Sequence, residues 1–396
     1  MMWIVILLIT LILMGGMAVY LVSRFTKFQV IKRLSKGRKK KSWLFSTLIF
    51  IFLSAILIFA IDFMNCIVII IHLGVICFVI ETIIWIVKKF TRDEIKLESA
   101  IKQKSDTKLE SDTKLESQNR DCYLAGVLAV IITITYLALG WYQAHHVWEK
   151  DYIVETTKNP GDLRIVLFAD AHLGTTFNGV EFEQHVESMK NCNPDIVVIS
   201  GDFVDDGTTK EDMIAGCKAL SKFYAPNGVY YVFGNHDKGY YGNEYRGFGR
   251  DELVENLETN GVVVLEDDSI LIDNRFYLIG RQDRSEEQRG ARRATMDELT
   301  ANLDAEKFMV VLDHQPNDYD AQVTSGVDLV LSGHTHGGQL IPITYVGEWI
   351  GANDKTYGIE KRQDTTFIVT SGISDWAIKF KTGCRSEYVV IDICEK

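Results

Sequence analysis

Five short motifs in the second half of this 396-residue chain hold residue types that can ligate a divalent cation. They are Asp170-Ala171-His172, Gly201-Asp202, Gly234-Asn235-His236-Asp237, His314, and Gly333-His334-Thr335-His336. Five of the nine histidines fall in them. Imidazole and oxygen donors without thiolate suit manganese, iron or zinc. No Cys-x-x-Cys spacing occurs, so a thiolate zinc site is not expected.

Each motif closes an apolar run rich in Val, Ile, Leu or Phe. The runs are residues 163–169, 195–200, 228–233, 308–313 and 327–332. Near-continuous apolar runs of this length suit strands buried on both faces. Helical stretches alternate with them at 180–190, 211–223, 251–259 and 296–303. The second opens on Thr208-Thr209-Lys210-Glu211 and the fourth on Thr295-Met296-Asp297-Glu298, both capping-box patterns. Strands alternating with helices indicate an α/β architecture. Ligands in such sheets bind beyond the carboxyl ends of strands. One histidine at a strand end is ordinarily a packing residue, but five strand ends bearing ligand types point to one shared site. Later strands at 262–265, 270–273, 276–280, 367–370 and 388–391 follow without intervening helices and suggest a second sheet with antiparallel pairing.

The order and content of these motifs resemble the calcineurin-like metallophosphoesterase superfamily over about residues 160–392. The extension Gly337-Gly338-Gln339 is similar to the branch of transmembrane proteins with a metallophosphoesterase domain. The segment Gly383-Cys384-Arg385-Ser386-Glu387 is similar to that branch's Arg-Pro-Glu ending, with Ser386 in place of Pro. The resemblance implies a four-layer αββα sandwich of two mixed sheets, here preceded by a four-helix transmembrane region. It also implies roles. Asp170, His172 and His336 would bind one metal ion, Asn235, His314 and His334 a second, and Asp202 would bridge them. His236 would protonate the leaving oxygen or stabilise the transition state, and Asp237 would orient His236. Physical logic agrees. Two cations about 3.5–4 Å apart clamp the attacking and leaving oxygens of an in-line displacement. A shared carboxylate offsets their repulsion, and an imidazole with an ordinary pKa of about 6.5 suits the acid role.

The first 142 positions read differently. Apolar runs at 1–22, 43–61, 63–87 and 122–141 are each near the 20 or so residues a bilayer crossing takes. The first lacks a basic start and a small-x-small cleavage site, so it reads as a retained span. Between the first two runs lie Arg24, Lys27, Lys32, Arg33, Lys36 and Arg38 to Lys41 without one acid, which predicts a cytoplasmic loop. The expected organisation is three transmembrane helices within 1–87, a charged cytoplasmic linker at 88–121 with a tandem hexapeptide (105–110, 111–116), a fourth transmembrane helix at 122–142, and a catalytic domain at 151–396. That makes a multi-pass protein of the cell membrane with the catalytic domain on the extracytoplasmic face. His72 and Glu81 sit inside the third run, where an ionisable residue is a functional candidate by default. His72 reads as a packing residue, and Glu81 is near enough to the cytoplasmic end to snorkel. Cys192, Cys217, Cys384 and Cys394 are expected as buried free thiols.

A net charge of -11 argues against nucleic-acid binding, which needs a basic footprint. The expected partners are a phosphorylated small-molecule or lipid-linked substrate and membrane lipids. The resemblance and the apolar runs together imply hydrolysis of a phosphodiester or diphosphate bond in a lipid-linked or envelope substrate. An alternative is a hydrolase resembling those of UDP-2,3-diacylglucosamine, against which the outer location argues, because nucleotide-activated sugars are cytoplasmic. A second is a membrane sensor or scaffold that uses the domain for binding, and a third is a protein phosphatase. Asp205 and Asp206 read as loop acids or as partners of the ligands. The aromatic loops 239–246 and 341–357 read as pocket walls, membrane-dipping loops or ordinary packed loops. Arg281, Arg284 and the stretch 289–293 read as a solvated basic loop or as a contact for phosphate head groups.

Overall fold

The computed structural model describes residues 2–103 and 123–396. The tandem hexapeptide and Cys122 lie outside the described residues. The chain forms two compact units, Met1–Ala138 and Leu139–Lys396.

The first unit contains α1 (Met2–Phe25), α2 (Gln29–Leu34), α3 (Lys39–Ala60), α4 (Phe63–Gln103) and most of α5 (Leu124–His145). Among the described residues, three helical stretches are long and apolar enough to cross a membrane: α3, the 29-residue part of α4 over Phe63–Thr91, and α5. The 22 residues of α3 and of α5 give about 33 Å of helix against a hydrocarbon core of about 30 Å. Among the described residues the count is thus three, against the four expected. The first apolar run does form α1, but the side chains described in it begin at Ile12, about 21 Å before its end at Phe25. Glu81 of α4 does not reach for water alone. Its carboxylate accepts from Lys27 Nζ at 2.7 Å and Tyr123 OH at 2.5 Å, and Arg24 Nε lies 2.8 Å away. His72 Nδ1 lies 2.7 Å from the Val68 carbonyl oxygen of its own helix, and its ring faces Tyr136, as a packing residue does.

The second unit holds twelve strands in two six-stranded sheets. The strands are β1 (Val147–Thr156), β2 (Leu163–Phe168), β3 (Ile196–Ser200), β4 (Val229–Val232), β5 (Val262–Val264), β6 (Asp268–Ile272), β7 (Phe276–Gly280), β8 (Phe308–Leu312), β9 (Leu329–Ser332), β10 (Gly358–Arg362), β11 (Thr365–Val369) and β12 (Ser386–Glu395). One sheet runs β1-β12-β2-β3-β4-β5 and the other β10-β11-β9-β8-β7-β6. Both are mixed: β2, β3, β4 and β5 pair in parallel, as do β7, β8, β9 and β11, while β12 pairs antiparallel with β2 and β6 antiparallel with β7.

Strand alternation builds the layers. Leu163, Ile165 and Leu167 of β2 face a core shared with Phe308, Val310 and Leu312 of β8, between the sheets. Val166 and Phe168 face the opposite side, against Phe182, Val186 and Met189 of α6 (Phe182–Lys190) and Met213 and Cys217 of α7 (Lys210–Leu220). Met309 and Val311 face outward from the second sheet toward Met296 and Tyr319. Four layers, helix-sheet-sheet-helix, result.

Two expectations are corrected here. The second sheet is not assembled from the late strands alone. It takes β8 and β9 from the α/β repeat, while β5 and β12 join the first sheet. The unit also begins before Asp151, because β1 forms a ten-residue parallel edge to β12 from Val147 onward. Its alternating exposed and half-buried residues are those of an edge strand rather than a buried one. Thr209, not Thr208, caps α7 by accepting from the Asp212 N–H, while the capping box of Thr295 and Glu298 is complete. The six described cysteines are free thiols, and of the four in this unit only Cys217 is fully buried.

Candidate metal centre

The parallel strands β2, β3 and β4 and their counterparts β8 and β9 end at one edge. Across it the backbone is cross-tied: Asp170 N–H donates to the Gly201 carbonyl at 3.0 Å, and Ser200 Oγ donates to the Leu331 carbonyl of the opposite sheet at 3.1 Å. The loops leaving these strands turn sharply. Asp170, His172, Asp202, His334 and His336 all adopt left-handed backbone conformations, with φ between 37° and 71°. Such residues cost about 1–3 kcal/mol each and persist only where the surroundings hold them. Glycines make the approach possible: a Cβ on Gly234 would lie 2.2 Å from Asp202 Oδ1, and one on Gly333 would lie 2.5 Å from Asp170 Oδ2.

Two groups of donor atoms result, Asp170 with His172 and His336, and Asp202 with His314 and His334, each spanning no more than 4.8 Å. Asp202 Oδ2 lies 3.6 Å from His172 Nε2 and 3.1 Å from His314 Nε2, so one carboxylate oxygen faces both groups. Neither of those buried Nε2 atoms has an aligned hydrogen-bond partner. The 3.1 Å approach of His314 is thus an ion-pair distance rather than a hydrogen bond. Asn235 Oδ1 lies 2.8 Å from His334 Nδ1, an approach that a shared proton or a shared cation accounts for. Buried nitrogens without partners, oxygens converging on them and the absence of sulfur donors fit two oxygen- and nitrogen-ligated cations.

The opposite ring nitrogens are tied down. His172 Nδ1 is 3.1 Å from Asp205 Oδ2, His314 Nδ1 is 2.7 Å from the Ser200 carbonyl, and His336 Nδ1 is 3.4 Å from the Ser374 carbonyl. Partners of this kind set ring orientation and tautomer in metal sites. Burial works against the charge on Asp202, yet the facing His314 and His172 rings hold its carboxyl below the ordinary range. Burial and the neighbouring His314 push His334 down to about 4, and burial lowers His336, whereas for His172 and His314 the facing carboxylates of Asp205 and Asp202 outweigh burial and raise both. Neutral imidazoles are the form that ligates metal.

His236 belongs to neither group. Its N–H donates to Asp202 Oδ1 at 2.8 Å, and its ring centroid lies 5.1 Å from those of Tyr240 and Trp376. The expected orienting contact from Asp237 is corrected: among the described residues no hydrogen bond joins its carboxylate to the His236 ring. The carboxylate instead accepts the backbone N–H groups of Gly234 (2.6 Å), Asp202 (2.8 Å) and Val204 (3.1 Å). Backbone donors spaced along two loops converge on it because both loops leave adjacent parallel strands.

The sequence did not single out several supporting groups. Lys381 is fully buried, and its Nζ donates to the carbonyls of Ser371 (2.7 Å) and Ser374 (3.0 Å). It thereby fixes the carbonyl that faces His336, and no local pattern marks it. Asp205 had a signal, an acid three residues past Asp202. Asp206 accepts from the backbone N–H groups of Tyr240 and Tyr241 and ties down that aromatic loop. The basic loop is corrected too. Arg281 and Arg293 are buried, and Arg293 Nη2 lies 2.6 Å from both carboxylate oxygens of Asp313. Arg289 Nη2 donates to the carbonyls of Asn235 (3.3 Å) and Gly239 (3.0 Å).

The profile of the calcineurin-like phosphoesterase family matches residues 163–338. An uncharacterised metallophosphoesterase of Aquifex aeolicus is 34% identical over 204 residues, which cover 50% of this chain and 72% of that protein. One from Campylobacter jejuni is 28% identical over 248 residues, 62% of each chain. A transmembrane protein with metallophosphoesterase domain from Danio rerio is 29% identical over 285 residues, 66% of this chain and 61% of that one. The chain thus spans about three fifths of the length of the last two. With the motifs in order within the matched residues, the chain belongs to the calcineurin-like phosphoesterase family.

Proposed function

We propose that the chain hydrolyses a phosphodiester or diphosphate bond in a lipid-linked or envelope substrate, at a centre of two divalent cations. The observation that carries this reading is Asp202, whose one carboxylate oxygen faces an unpartnered imidazole nitrogen of each donor group. Asp170, His172 and His336 would hold one cation, Asn235, His314 and His334 the other, and Asp202 would serve both. Manganese, iron or zinc suits this donor set. Bound there, the pair supplies positive charge for the phosphoryl oxygens and a nucleophile at neutral pH.

The protein's own residues supply the rest. Asp205 and the Ser200 and Ser374 carbonyls aim the imidazoles. Asp237 keeps the loops of Asp202 and Asn235 closed on each other. The half-buried ring of His236 stands beside both donor groups, against Tyr240 and Trp376, where an imidazole can hand a proton to the leaving oxygen. Three bilayer-length apolar stretches support a membrane location, which concentrates the enzyme on a two-dimensional substrate. The acid-free basic segment from Arg24 to Lys41 supports a catalytic unit on the extracytoplasmic face.

The test is hydrolysis of bis(nitrophenyl) phosphate and nitrophenyl phosphate by the full chain in detergent with manganese. The diester should be cleaved faster, and Asp202→Asn and His236→Ala should each lower its rate by about 10²-fold or more. A wild-type protein that binds two cations and cleaves neither ester would sink the reading.

A further inference from the structure

The segment from Leu340 to Ala352 leaves the site directly, two residues past Gly338. It contains the short helix α8 (Val346–Trp349), in which no residue is buried. Ile341, Ile343, Tyr345, Val346, Trp349 and Ile350 are exposed, the last two at 74% and 72%. Contiguous exposed apolar surface of this kind marks an interaction site. The only charge between 340 and 352 is Glu348, which is occupied by the Thr356 backbone N–H. Glu348 is itself half-buried, and the large exposed side chains of the loop are Trp, Tyr, Ile and Val.

Its surroundings say what covers it. Ile341 N–H donates to Thr382 Oγ1 at 3.0 Å. The neighbouring Lys381 N–H donates to the Gly140 carbonyl at 3.0 Å, and Ser386 Oγ donates to the Ala144 carbonyl at 2.7 Å. Gly140 and Ala144 lie in the last turns of α5, the apolar helix that runs with a single intervening residue, His146, into β1. Trp141 and Tyr142, in those same turns, are exposed, the placement of an aromatic belt at a membrane interface. The exposed loop therefore starts beside the last turns of the bilayer-length helix α5. It also starts beside the site: Gln339 Nε2 donates to the Ile378 carbonyl at 2.9 Å, two residues from Trp376, whose ring is 5.1 Å from that of His236.

We infer that the 341–350 loop seats in the headgroup and upper acyl region of the bilayer that α5 exits, and so holds the site against lipid-linked esters. Trp, Tyr and Ile without charge are what an interfacial element presents to that region. The seating stands on the loop itself. Its consequence for substrate rests on the phosphoesterase reading above.

Two experiments on the full chain in phosphatidylcholine nanodiscs separate them. The first takes the difference in tryptophan fluorescence between wild type and Trp349→Phe, in ordinary lipid and in lipid brominated near the headgroup end of the acyl chain. The Trp349 contribution should be quenched by the brominated lipid. An unquenched Trp349 assigns the face to a protein partner and overturns the inference. The second compares a lipid-embedded phosphodiester with bis(nitrophenyl) phosphate. In Trp349→Glu and Ile350→Glu the ratio of lipid to soluble hydrolysis should fall at least about tenfold, while Tyr224→Glu, an exposed aromatic on another face, should keep the wild-type ratio. An unchanged ratio in the loop variants overturns the substrate consequence. A wild type that cleaves neither ester counts against the phosphoesterase reading, and the quenching result still decides the seating.

Discussion

Asp205 Oδ2 lies 3.1 Å from Nδ1 of His172, and this contact turns the ring so that its Nε2 faces Asp202 from 3.6 Å. Asp205 is itself held: its Oδ1 accepts from the Gly207 N–H at 2.7 Å, and its own N–H donates to Thr208 Oγ1 at 2.9 Å. The loop after β3 thus carries both a member of one donor group and the group that aims a member of the other.

Removing that aim should weaken metal binding without unfolding the chain. Asp205→Ala leaves His172 in place but frees its ring, and loss of such a partner typically lowers metal affinity about 10–100-fold. Manganese titration of the activity, with metal content measured in parallel, checks this. An unchanged affinity would mean that packing alone positions His172.

Asp237→Asn separates two roles for this carboxylate. Three backbone N–H groups converge on a fully buried carboxylate, and an amide nitrogen in their midst replaces acceptors with donors. A stability loss of about 2–4 kcal/mol follows from unsatisfied buried donors, measured as a lower melting temperature of the full chain in detergent. An orienting role toward His236 would instead leave the melting temperature in place and change the pH profile of turnover.

The clustering of donor residues was legible because their chemistry restricts residue type and the α/β pattern fixes their place. Asp, His and Asn at the ends of apolar runs have few other reasons to recur. The contacts of Asp237 were not legible, because they depend on how two loops from parallel neighbours close over Gly234, at a separation no sequence window spans. Sheet membership failed for a related reason. The run that became β8 has the same apolar content as that of β3, and only long-range pairing with β7 assigns it to the second sheet. β1 was missed because its polar residues alternate along an edge. Lys381 and Arg293 were invisible as buried cations, since burial of a charge is set by tertiary packing and not by local pattern: the Ser371 and Ser374 carbonyls surround one and Asp313 meets the other.

Arg293→Met tests the charge pair behind the site. Asp313 precedes His314 of the donor cluster and is fully buried, with Arg293 as its closest cation and Arg281 Nη1 farther off at 3.2 Å. Stripping one partner from a buried pair costs about 3–5 kcal/mol, and the remaining Arg281 places this change at the lower end. The melting temperature of the variant should fall clearly, whereas the double replacement Arg293→Met with Asp313→Leu should recover part of the loss. A single variant as stable as wild type would show that Arg281 alone satisfies Asp313.

Glu266 gives the second unit an acid-sensitive tie. It follows β5 and pairs with Lys238 at 2.9 Å and with Arg250. Burial alone would raise its pKa, but the two cations outweigh burial and hold the carboxyl below its ordinary value. The folded state then binds the proton less tightly than the unfolded chain does. The contribution of the tie is fully present above the unfolded pKa of about 4.3 and is lost as pH falls through the lower folded value. Because the pair is only partly shielded from solvent, it is worth about 1 kcal/mol or less. Thermal melts of wild type and Glu266→Gln should therefore differ at pH 7 and converge at pH 3. A gap of the same size at both values would assign the effect of the variant to packing and not to charge.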